Sequence, residues 1–246
     1  MSYTVALANT FNLAKGRVIG GKYVVDRFLG SGWEGEVYAI TERRTGAPRA
    51  AKIFFPTRNR KDSAVNFYAR KLERLRDCDL VIGYHHSETL RLRGESFTAL
   101  ISEYVDGMLL ENYVLSRPGR RLDLFEALHL LYTLARGLEQ IHATRDYHGD
   151  LHASNILVKR RGVHFDMKLV DLFDLGRPTS ANIKDDVVDL IHVFHESLGG
   201  RRWYAKLPPE MKWICAGLKR TLIQQRFPTA RHLRDHLDHF VWSSGR

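Results

Sequence analysis

Short runs of apolar residues separated by turn residues dominate the chain up to residue 104. These runs are rich in β-branched and aromatic residues, and Gly- or Pro-containing turns lie between them. They occupy positions 23–29, 36–41, 49–55, 81–86 and 97–104. Runs of this length and composition are typical of β-strands. The stretch 63–76 has helical character instead, so the first part of the chain is predicted to be a small sheet with one helix.

Near residue 105 the pattern changes to helical periodicity. From Leu124 to Ile141 apolar residues recur at steps of three and four, and Asp123 stands where an N-cap is expected. Further helices are predicted at 185–198, 209–223 and 229–242. An irregular, Asp-rich section at 146–184 flanks two short strand-like runs. Chemistry is expected in this section, because loops on a rigid frame carry function.

The composition fits a folded protein of one or two domains. The chain has 246 residues, of which 44% are hydrophobic, and this is enough for a substantial core. No run is long and apolar enough to span a membrane, and the N-terminus lacks a basic region ahead of an apolar one, so a cytoplasmic protein without a membrane partner is expected. The formal charge is +10, but the basic clusters are scattered over turns, which argues against a nucleic-acid groove.

A glycine-rich segment, G-S-G-W-E-G-E-V-Y at 30–38, lies between two strand-like runs. Its glycines permit a hairpin backbone to approach phosphate oxygens with its N–H groups. The same G-x-G-x-x-G spacing opens dinucleotide-binding β-α units, in which a helix must follow the loop. Here Val37 begins a β-branched and aromatic run instead. The segment is therefore predicted to be a phosphate-covering hairpin.

Lys52 lies in an otherwise apolar strand-like run and is a candidate phosphate-binding residue. An ammonium group in such a strand is costly unless it meets anionic charge. Glu73 is the only carboxylate in the interior of the predicted helix 63–76, and a Lys52–Glu73 pair would hold the ammonium group where it reaches nucleotide phosphates. Two other interpretations stay open, namely a lysine whose head reaches solvent and a glutamate on the surface of its helix.

Further candidates lie in the Asp-rich section. Asp150 and Asn155 are five residues apart in a loop that ends in a strand-like run, and Asp171 ends the next such run. An Asp that accepts a hydroxyl proton, an Asn and an Asp that hold Mg²⁺, a lysine on the phosphates and a glycine-rich hairpin form a complete phosphoryl-transfer set. This ordered set predicts a phosphotransferase that uses ATP and Mg²⁺.

With these motifs in this order, the sequence resembles the eukaryotic-type protein kinase superfamily, in a minimal, bacterial-like form, over residues from about 23 to 240. The resemblance implies an α+β, two-lobed protein-kinase-like fold with an antiparallel β-sheet plus one helix in the N-lobe and a mainly α-helical C-lobe. It divides the chain into an N-terminal extension at 1–21, an N-lobe at 22–105 and a C-lobe at 106–246. It further implies a Ser/Thr protein kinase that phosphorylates a protein substrate or itself.

The resemblance also implies a role for each matching position. The catalytic residues would be Asp150, Lys52 and Glu73. Asn155 and Asp171 would hold Mg²⁺ or Mn²⁺, and Asp186 would brace the catalytic loop from a helix. The ATP-binding positions would be Gly30, Ser31, Gly32, Gly35, Val37, Lys52, Glu103 and Val105.

The sequence departs from the family pattern around the catalytic loop. Gly149 replaces the arginine of H-R-D, and Asp171 is followed by Leu-Phe, with Asp174 as a rival metal ligand in Asp-Leu-Gly. Asp171 is preferred because it directly ends a strand-like run. The segment 172–184 is short and lacks A-P-E. These departures predict a constitutively active kinase that needs no activation-loop phosphorylation.

Two alternatives to a protein kinase stay open. Only a short stretch, 199–207, separates two predicted helices, and His152 stands where Ser/Thr kinases commonly have lysine. These features leave open a small-molecule kinase of the aminoglycoside or choline kinase type. The altered D-F-G and H-R-D motifs leave open a nucleotide-binding pseudokinase scaffold.

Overall fold

The computed structural model describes residues 10–92, 94–162 and 164–241. These residues form two compact units. The first unit comprises the described residues up to Arg76 together with Ile82–Val105. The second unit comprises Asp77–Val81 and the described residues from Asp106 onward.

The segment Asp77–Val81 belongs to the second unit because of Leu80. The Leu80 carbonyl accepts a hydrogen bond of 2.6 Å from Leu169 N, and Val81 forms a parallel bridge with Leu169. Gly137 lies directly beneath the Leu80 side chain, where a Cβ would come within 2.1 Å of it. The structure therefore differs from the single division after residue 105 that the sequence predicts.

The first unit contains an antiparallel six-stranded sheet and an α-helix. The strands are β1 (Val18–Ile19), β2 (Tyr23–Ser31), β3 (Gly35–Glu42), β4 (Pro48–Phe54), β5 (Tyr84–Leu92) and β6 (Glu95–Glu103), and the helix is α1 (Ser63–Arg74). Their order across the sheet is β1-β2-β3-β4-β6-β5. The strand-like runs predicted at 23–29, 36–41, 49–55 and 97–104 form β2, β3, β4 and β6, whereas β5 begins inside the run predicted at 81–86 and continues to Leu92. The predicted helix follows β4 and precedes β5 along the chain.

Strand β4 has two different faces because side chains alternate along a strand. In the register of β3 and β4, Val37 is opposite Lys52, and Glu36 is opposite Ile53. Ile53 is fully buried in the hydrophobic core. Lys52 therefore projects from the other face of the sheet.

The segment that precedes β1 packs against the core of the first unit. Phe11 is buried, with its ring stacked on Phe55 at a centroid distance of 5.4 Å and edge-on to Phe97 at 5.0 Å. The Phe11 N–H donates to the buried Glu36 Oε2 at 3.1 Å. These contacts make the segment an integral part of the unit. Residues 1–9 of the predicted N-terminal extension lie outside the described residues.

The second unit is mainly α-helical. Its α-helices are α2 (Leu110–Ser116), α3 (Leu124–Ala143), α4 (Ser180–Ser197), α5 (Gly200–Tyr204), α6 (Pro209–Cys215), α7 (Arg220–Arg226) and α8 (Ala230–Asp238). A small antiparallel sheet has the order β7 (Met108–Leu109), β8 (Ile156–Arg161) and β9 (His164–Leu169). The Asp123 side chain caps α3 by accepting from Glu126 N, and Leu131, Leu134 and Leu138 of its apolar stripe are fully buried. None of the helices in the described part of the chain has the length and apolarity that a bilayer span requires.

Backbone conformation explains where the helices differ from the predicted ones. The predicted helix 209–223 is interrupted between α6 and α7, because Ala216, Gly217 and Leu218 have φ values of 49°, 61° and 59° that an α-helix does not contain. Helix α4 begins before residue 185, since Thr179 and the N3 residue Asn182 form a capping box. The short stretch predicted between helices at 199–207 holds α5.

Candidate active-site residues

The glycine-rich segment forms the hairpin that joins β2 to β3. Gly32 N donates to Gly35 O at 2.9 Å and closes the turn, while Ser31 is exposed at the end of β2. A Cβ at Gly35 would lie 2.1 Å from the Ile53 carbonyl oxygen, so only glycine permits β3 to approach β4 so closely. At Gly30 and Gly32 the space that a Cβ would enter is open. The hairpin thus has one glycine fixed by packing and two with open space around them.

Lys52 forms an ion pair with Glu34 of this hairpin, at 2.8 Å between Nζ and Oε2. The Tyr68 hydroxyl of α1 donates to the same carboxylate oxygen at 2.7 Å, and Lys52 Nζ lies 4.4 Å from the centroid of the Tyr68 ring. We call these three side chains the Lys52 cluster. The side chains of Lys52 and Glu34 are only 14% and 22% exposed, so this ion pair is less screened by water than a surface pair.

The predicted pair of Lys52 and Glu73 is wrong. The Glu73 side chain is 56% exposed, and its Oε1 pairs with Arg76 Nη1 at 2.9 Å. The buried face of α1 carries Val65, Tyr68, Lys71 and Leu72. Because Tyr68 and Glu73 are five residues apart, they lie on different sides of a helix with 3.6 residues per turn. The burial of Tyr68 therefore turns Glu73 toward solvent.

Sequence reasoning gave no role to Glu34 and Tyr68, although a signal for each was present. Glu34 is the carboxylate inside the glycine-rich segment itself, directly before Gly35. Tyr68 lies three residues after Val65 and four before Leu72, which is the spacing of one apolar helix face. This spacing indicates that Tyr68 faces inward and that Glu73 faces outward.

The remaining predicted nucleotide contacts lie in the strands and at the end of the first unit. Val37 is opposite Lys52 in the register of β3 and β4. Glu103 ends β6, and its N–H donates to Gly83 O at 2.8 Å. Val105 is partly buried at the end of the unit. Their contacts with adenine stay a prediction.

In the second unit, Asp186 of α4 holds the loop that carries Asp150. The Asp186 carboxylate is fully buried and accepts hydrogen bonds from His148 N at 2.7 Å and from Gly149 N at 2.8 Å. His142 Nε2 lies 3.0 Å from its Oδ2. A buried carboxylate with several donors fixes the backbone to which those donors belong. This is the contact that a brace of the catalytic loop requires.

Gly149, which replaces the arginine of H-R-D, occupies a position that a larger residue would strain. Its φ is +87°, and a Cβ there would lie 2.9 Å from the Tyr147 ring. The Tyr147 hydroxyl donates to Gly176 O at 2.9 Å and accepts from Leu175 N at 2.7 Å. Burial raises the pKa of this hydroxyl, so it stays a neutral donor. Tyr147 thus ties the segment after β9 to the catalytic loop.

Asp150 and Asn155 meet within this loop. Asn155 Nδ2 donates to the Asp150 carbonyl oxygen at 2.9 Å and lies 3.3 Å from Asp150 Oδ2. His152 Nε2 lies 2.9 Å from the same Asn155 nitrogen and 3.4 Å from Asp150 Oδ2. Asn155 is buried, whereas the Asp150 side chain is 51% exposed. The arrangement leaves the Asp150 carboxylate accessible and its orientation fixed.

Asp171 lies two residues after the end of β9, and residues on both sides of it are bonded to this loop. Its neighbour Val170 donates from N to Asn155 O at 3.0 Å, and Phe173 N donates to His148 O at 2.9 Å. Asp171 itself has a φ of +54°, a conformation that few non-glycine residues adopt and that clusters at functional sites. The rival Asp174 is exposed, and its Oδ1 accepts from Gly176 N in a local turn.

The surroundings of Asp186 are strongly acidic. Burial raises the pKa of Asp189, one turn further along α4, to about 6. The charges of Asp186, Asp185 and Asp150 act in the same direction, and Arg220 opposes them. A group of carboxylates with this effect on one another attracts cations.

The protein kinase domain model matches residues 23–211. The chain belongs to the protein kinase family. The match confirms the family that the order of the motifs predicts, and it covers every site residue that the sequence predicts.

Curated relatives of this kinase domain are longer proteins. Serine/threonine-protein kinase PknA of Mycobacterium tuberculosis is 30% identical over 153 residues, which are 60% of this chain and 34% of the relative. Dual specificity testis-specific protein kinase 1 of Mus musculus is 30% identical over 136 residues, which are 54% of this chain and 20% of the relative. The kinase domain thus spans no more than about a third of the length of these relatives.

A solved structure has the same fold. The PknI kinase domain of Mycobacterium tuberculosis matches with a TM-score of 0.66 at 20% identity, over 92% of this chain and 98% of that chain. The likeness confirms the predicted α+β protein-kinase fold, with an antiparallel sheet in the first unit and a mainly helical second unit.

Proposed function

We propose that this kinase domain transfers the γ-phosphoryl group of ATP to serine or threonine hydroxyls of a protein substrate or of a second copy of itself. The observation that carries the proposal is the Asp186-braced loop, which holds Asp150 and Asn155 within hydrogen-bond distance. Similarity to the serine/threonine-protein kinase PknA supports the hydroxyl acceptor.

Asp150 accepts the proton of the attacking hydroxyl. Its side chain is half exposed, so a substrate hydroxyl can approach it, and Asn155 Nδ2 lies close to its Oδ2. A base in a fixed orientation lowers the barrier because the proton is transferred without a prior search for geometry. Asp186 serves this step indirectly by holding the backbone N–H groups of His148 and Gly149 in place.

The residues of the second unit fit a Mg²⁺ or Mn²⁺ ion. Asn155 uses its Nδ2 group toward Asp150, which leaves the amide oxygen as the atom that it offers. Asp171 offers a carboxylate from backbone that is tied to Asn155 through Val170. Hard oxygen ligands of this kind suit Mg²⁺, which completes its shell with water and substrate phosphates. When bound, the ion neutralises charge on the phosphate oxygens.

The first unit supplies the nucleotide contacts. Lys52 binds the α- and β-phosphate oxygens, and the hairpin with Gly30, Gly32 and Gly35 covers the phosphates with its N–H groups. The open space beside Gly30 and Gly32 is consistent with close approach of a ligand. Backbone groups near Glu103 and Val105 hold the adenine.

Activity does not depend on phosphorylation of the segment after β9. With Gly149 in place of arginine, the loop lacks the cation that would receive a phosphate at that position. Tyr147 instead binds this segment at Leu175 and Gly176 through a neutral hydroxyl. The segment is thus ordered by contacts that are present without modification.

The test is phosphate transfer from radiolabelled ATP with Mg²⁺, by the protein alone and with generic protein substrates, followed by phosphoamino-acid analysis. We expect phosphoserine or phosphothreonine, and a loss of about 100-fold or more in Asp150→Asn, as removal of a general base predicts. Asp171→Asn should lose activity while Asp174→Asn retains it. Transfer only when a small-molecule acceptor is added to the assay would indicate a small-molecule kinase, and ATP binding without transfer would indicate a scaffold.

Phosphatase treatment tests the independence from activation. Protein dephosphorylated before the assay should start transfer at the rate of untreated protein, without a lag. A lag that shortens with protein concentration would show that autophosphorylation activates the enzyme and would contradict this part of the proposal.

A further inference from the structure

We propose that Glu34 of the glycine-rich hairpin is the positioning residue that holds Lys52 for phosphoryl transfer, in place of a glutamate on helix α1. The inference rests on the proposed function, because Lys52 acts on phosphates only in an enzyme that binds ATP. It deepens that function by assigning the ion-pair partner of Lys52 to a different structural element. It also changes which movement controls the lysine.

The contacts of Glu34 are those of a positioning group. One oxygen, Oε2, accepts from both Lys52 Nζ at 2.8 Å and Tyr68 Oη at 2.7 Å. The centroid of the Tyr68 ring also lies 4.4 Å from the Lys52 ammonium nitrogen, close enough for a cation–π contact. The lysine head is thus held by a carboxylate and an aromatic face, and this limits its rotamers.

Helix α1 does not supply the carboxylate itself. Within Ser63–Arg74 the sequence holds a single carboxylate, Glu73, and that side chain is exposed and paired with Arg76. The inward positions carry a tyrosine at 68 and a lysine at 71, and Lys71 is 1% exposed. To bring Glu73 inward, α1 would have to turn these buried side chains into solvent. The packing of α1 therefore opposes a Lys52–Glu73 pair.

The backbone around Glu34 is anchored to the sheet. Phe55 N donates to Glu34 O at 2.8 Å, which ties the residue to the end of β4. The neighbouring Gly35 lies against Ile53 so closely that no Cβ fits. On the other side, the centroid of the Trp33 ring lies 3.6 Å from the Arg58 guanidinium carbon. The backbone of Glu34 and the residues on both sides of it are thus held by contacts within the first unit.

The ion pair and phosphate binding are compatible. A lysine ammonium has three donors, so Lys52 can keep Glu34 and still donate to phosphate oxygens. Because Glu34 lies in the hairpin that covers the phosphates, the orientation of Lys52 is coupled to that hairpin. In this kinase domain, a rotation of α1 moves Tyr68 and leaves Glu34 in the hairpin, so α1 is not the switch that makes or breaks the ion pair.

Steady-state kinetics of two matched charge-removal variants test the role. Glu34→Gln keeps the size of the side chain and removes its charge, and Glu73→Gln makes the same change at the exposed site. We expect Glu34→Gln to lower kcat by about 10- to 100-fold with a smaller change in KM for ATP, as loss of positioning predicts. Glu73→Gln should equal wild type. In a Lys52→Met background, Glu34→Gln should have no further effect, because it acts through the lysine.

A labelling experiment keeps the inference separate from the proposed function. An amine-reactive reagent modifies Lys52 faster when no carboxylate engages its ammonium group, and mass spectrometry of the folded protein measures the rate. Glu34→Gln should speed this labelling severalfold, and Glu73→Gln should not. Inactive wild-type protein with this labelling difference would contradict only the proposed function. Equal labelling of wild type and Glu34→Gln, or an active enzyme whose kcat falls in Glu73→Gln instead, would overturn the inference.

Discussion

Two carboxylates organise the candidate site residues, one in each unit, and they differ in their partners. Asp186 is fully buried and accepts from the backbone N–H groups of His148 and Gly149. Glu34 is partly exposed and accepts from the side chains of Lys52 and Tyr68. The first carboxylate fixes main chain, and the second fixes one movable side chain.

The two carboxylates therefore produce different kinds of order, a fixed backbone in the second unit and an oriented side chain in the first. A buried carboxylate is stable only while its donors stay in place, so Asp186 and the loop around Gly149 act as one rigid element. A partly exposed ion pair such as Lys52–Glu34 can take up water or a phosphate oxygen beside the existing partner at lower cost. The loop in the second unit is thus preorganised, whereas the Lys52 cluster can respond to a ligand.

Removing the Asp186 carboxylate should produce the largest effect. In Asp186→Ala the N–H groups of His148 and Gly149 lose their acceptor in a buried place, and each costs about 1–3 kcal/mol. We expect the free energy of unfolding to fall by about 3–5 kcal/mol, with loss of transfer activity. Chemical denaturation monitored by circular dichroism measures the free energy of unfolding.

Asp185→Ala is the matched control on the same helix. Asp185 pairs with Arg220 at the surface, so its removal should cost less than about 1 kcal/mol. Similar losses in the two variants would contradict the special role of Asp186. Asp186→Asn adds a second check, because it keeps the volume but places an amide where two N–H donors converge.

A side chain at Gly149 should have the next largest effect. Gly149→Ala adds a Cβ at a φ of +87° and 2.9 Å from the Tyr147 ring, so strain and a clash combine. We expect a loss of about 2–3 kcal/mol and a lower transfer rate, since the ring that binds the segment after β9 must move. Thermal unfolding and the transfer assay measure the two effects.

Gly46→Ala separates strain from the clash. Gly46 has a φ of +73° with nothing within 4 Å of the Cβ position, so the substitution should cost only the backbone contribution of about 1 kcal/mol. If Gly149→Ala costs no more than Gly46→Ala, the Tyr147 ring adapts freely and the loop is less rigid than Asp186 implies.

The loop that carries Asp150 and Asn155 was predictable because it is built from neighbours in sequence. Asp150 and Asn155 lie in one short loop, and the strand that ends before Asp171 is visible as an apolar run. Their proximity follows from local backbone and from the pairing of β8 with β9. The fold class followed from the same ordered motifs and was confirmed by the family match.

The partner of Lys52 was not predictable in this way. It depends on the rotation of α1 about its axis, which the packing of Tyr68 and Lys71 decides, and on a hairpin conformation fixed by Gly35 against β4. Neither contact is local in sequence. A charge pattern along the helix therefore indicated Glu73, and tertiary packing selected Glu34.

Neutralising Asp189 should give the smallest effect and a distinct dependence on pH. Its pKa is raised to about 6 from an ordinary value of 3.8, mainly by burial, so the folded state disfavours its charged form. The folded protein therefore holds this proton more tightly than the unfolded chain, and the free energy of unfolding falls as pH rises from about 4 to 6.

Asp189→Asn should remove this fall and stabilise the protein by about 1–2 kcal/mol at pH 8, with little effect near pH 4. Thermal midpoints of both proteins across this range measure it. A constant difference at all pH values would show that the Asp189 charge is compensated in the folded state. The acidic surroundings of Asp186 would then not lower the free energy of unfolding of the second unit. Buried Asp186 and partly exposed Glu34 would differ only in the groups that they hold.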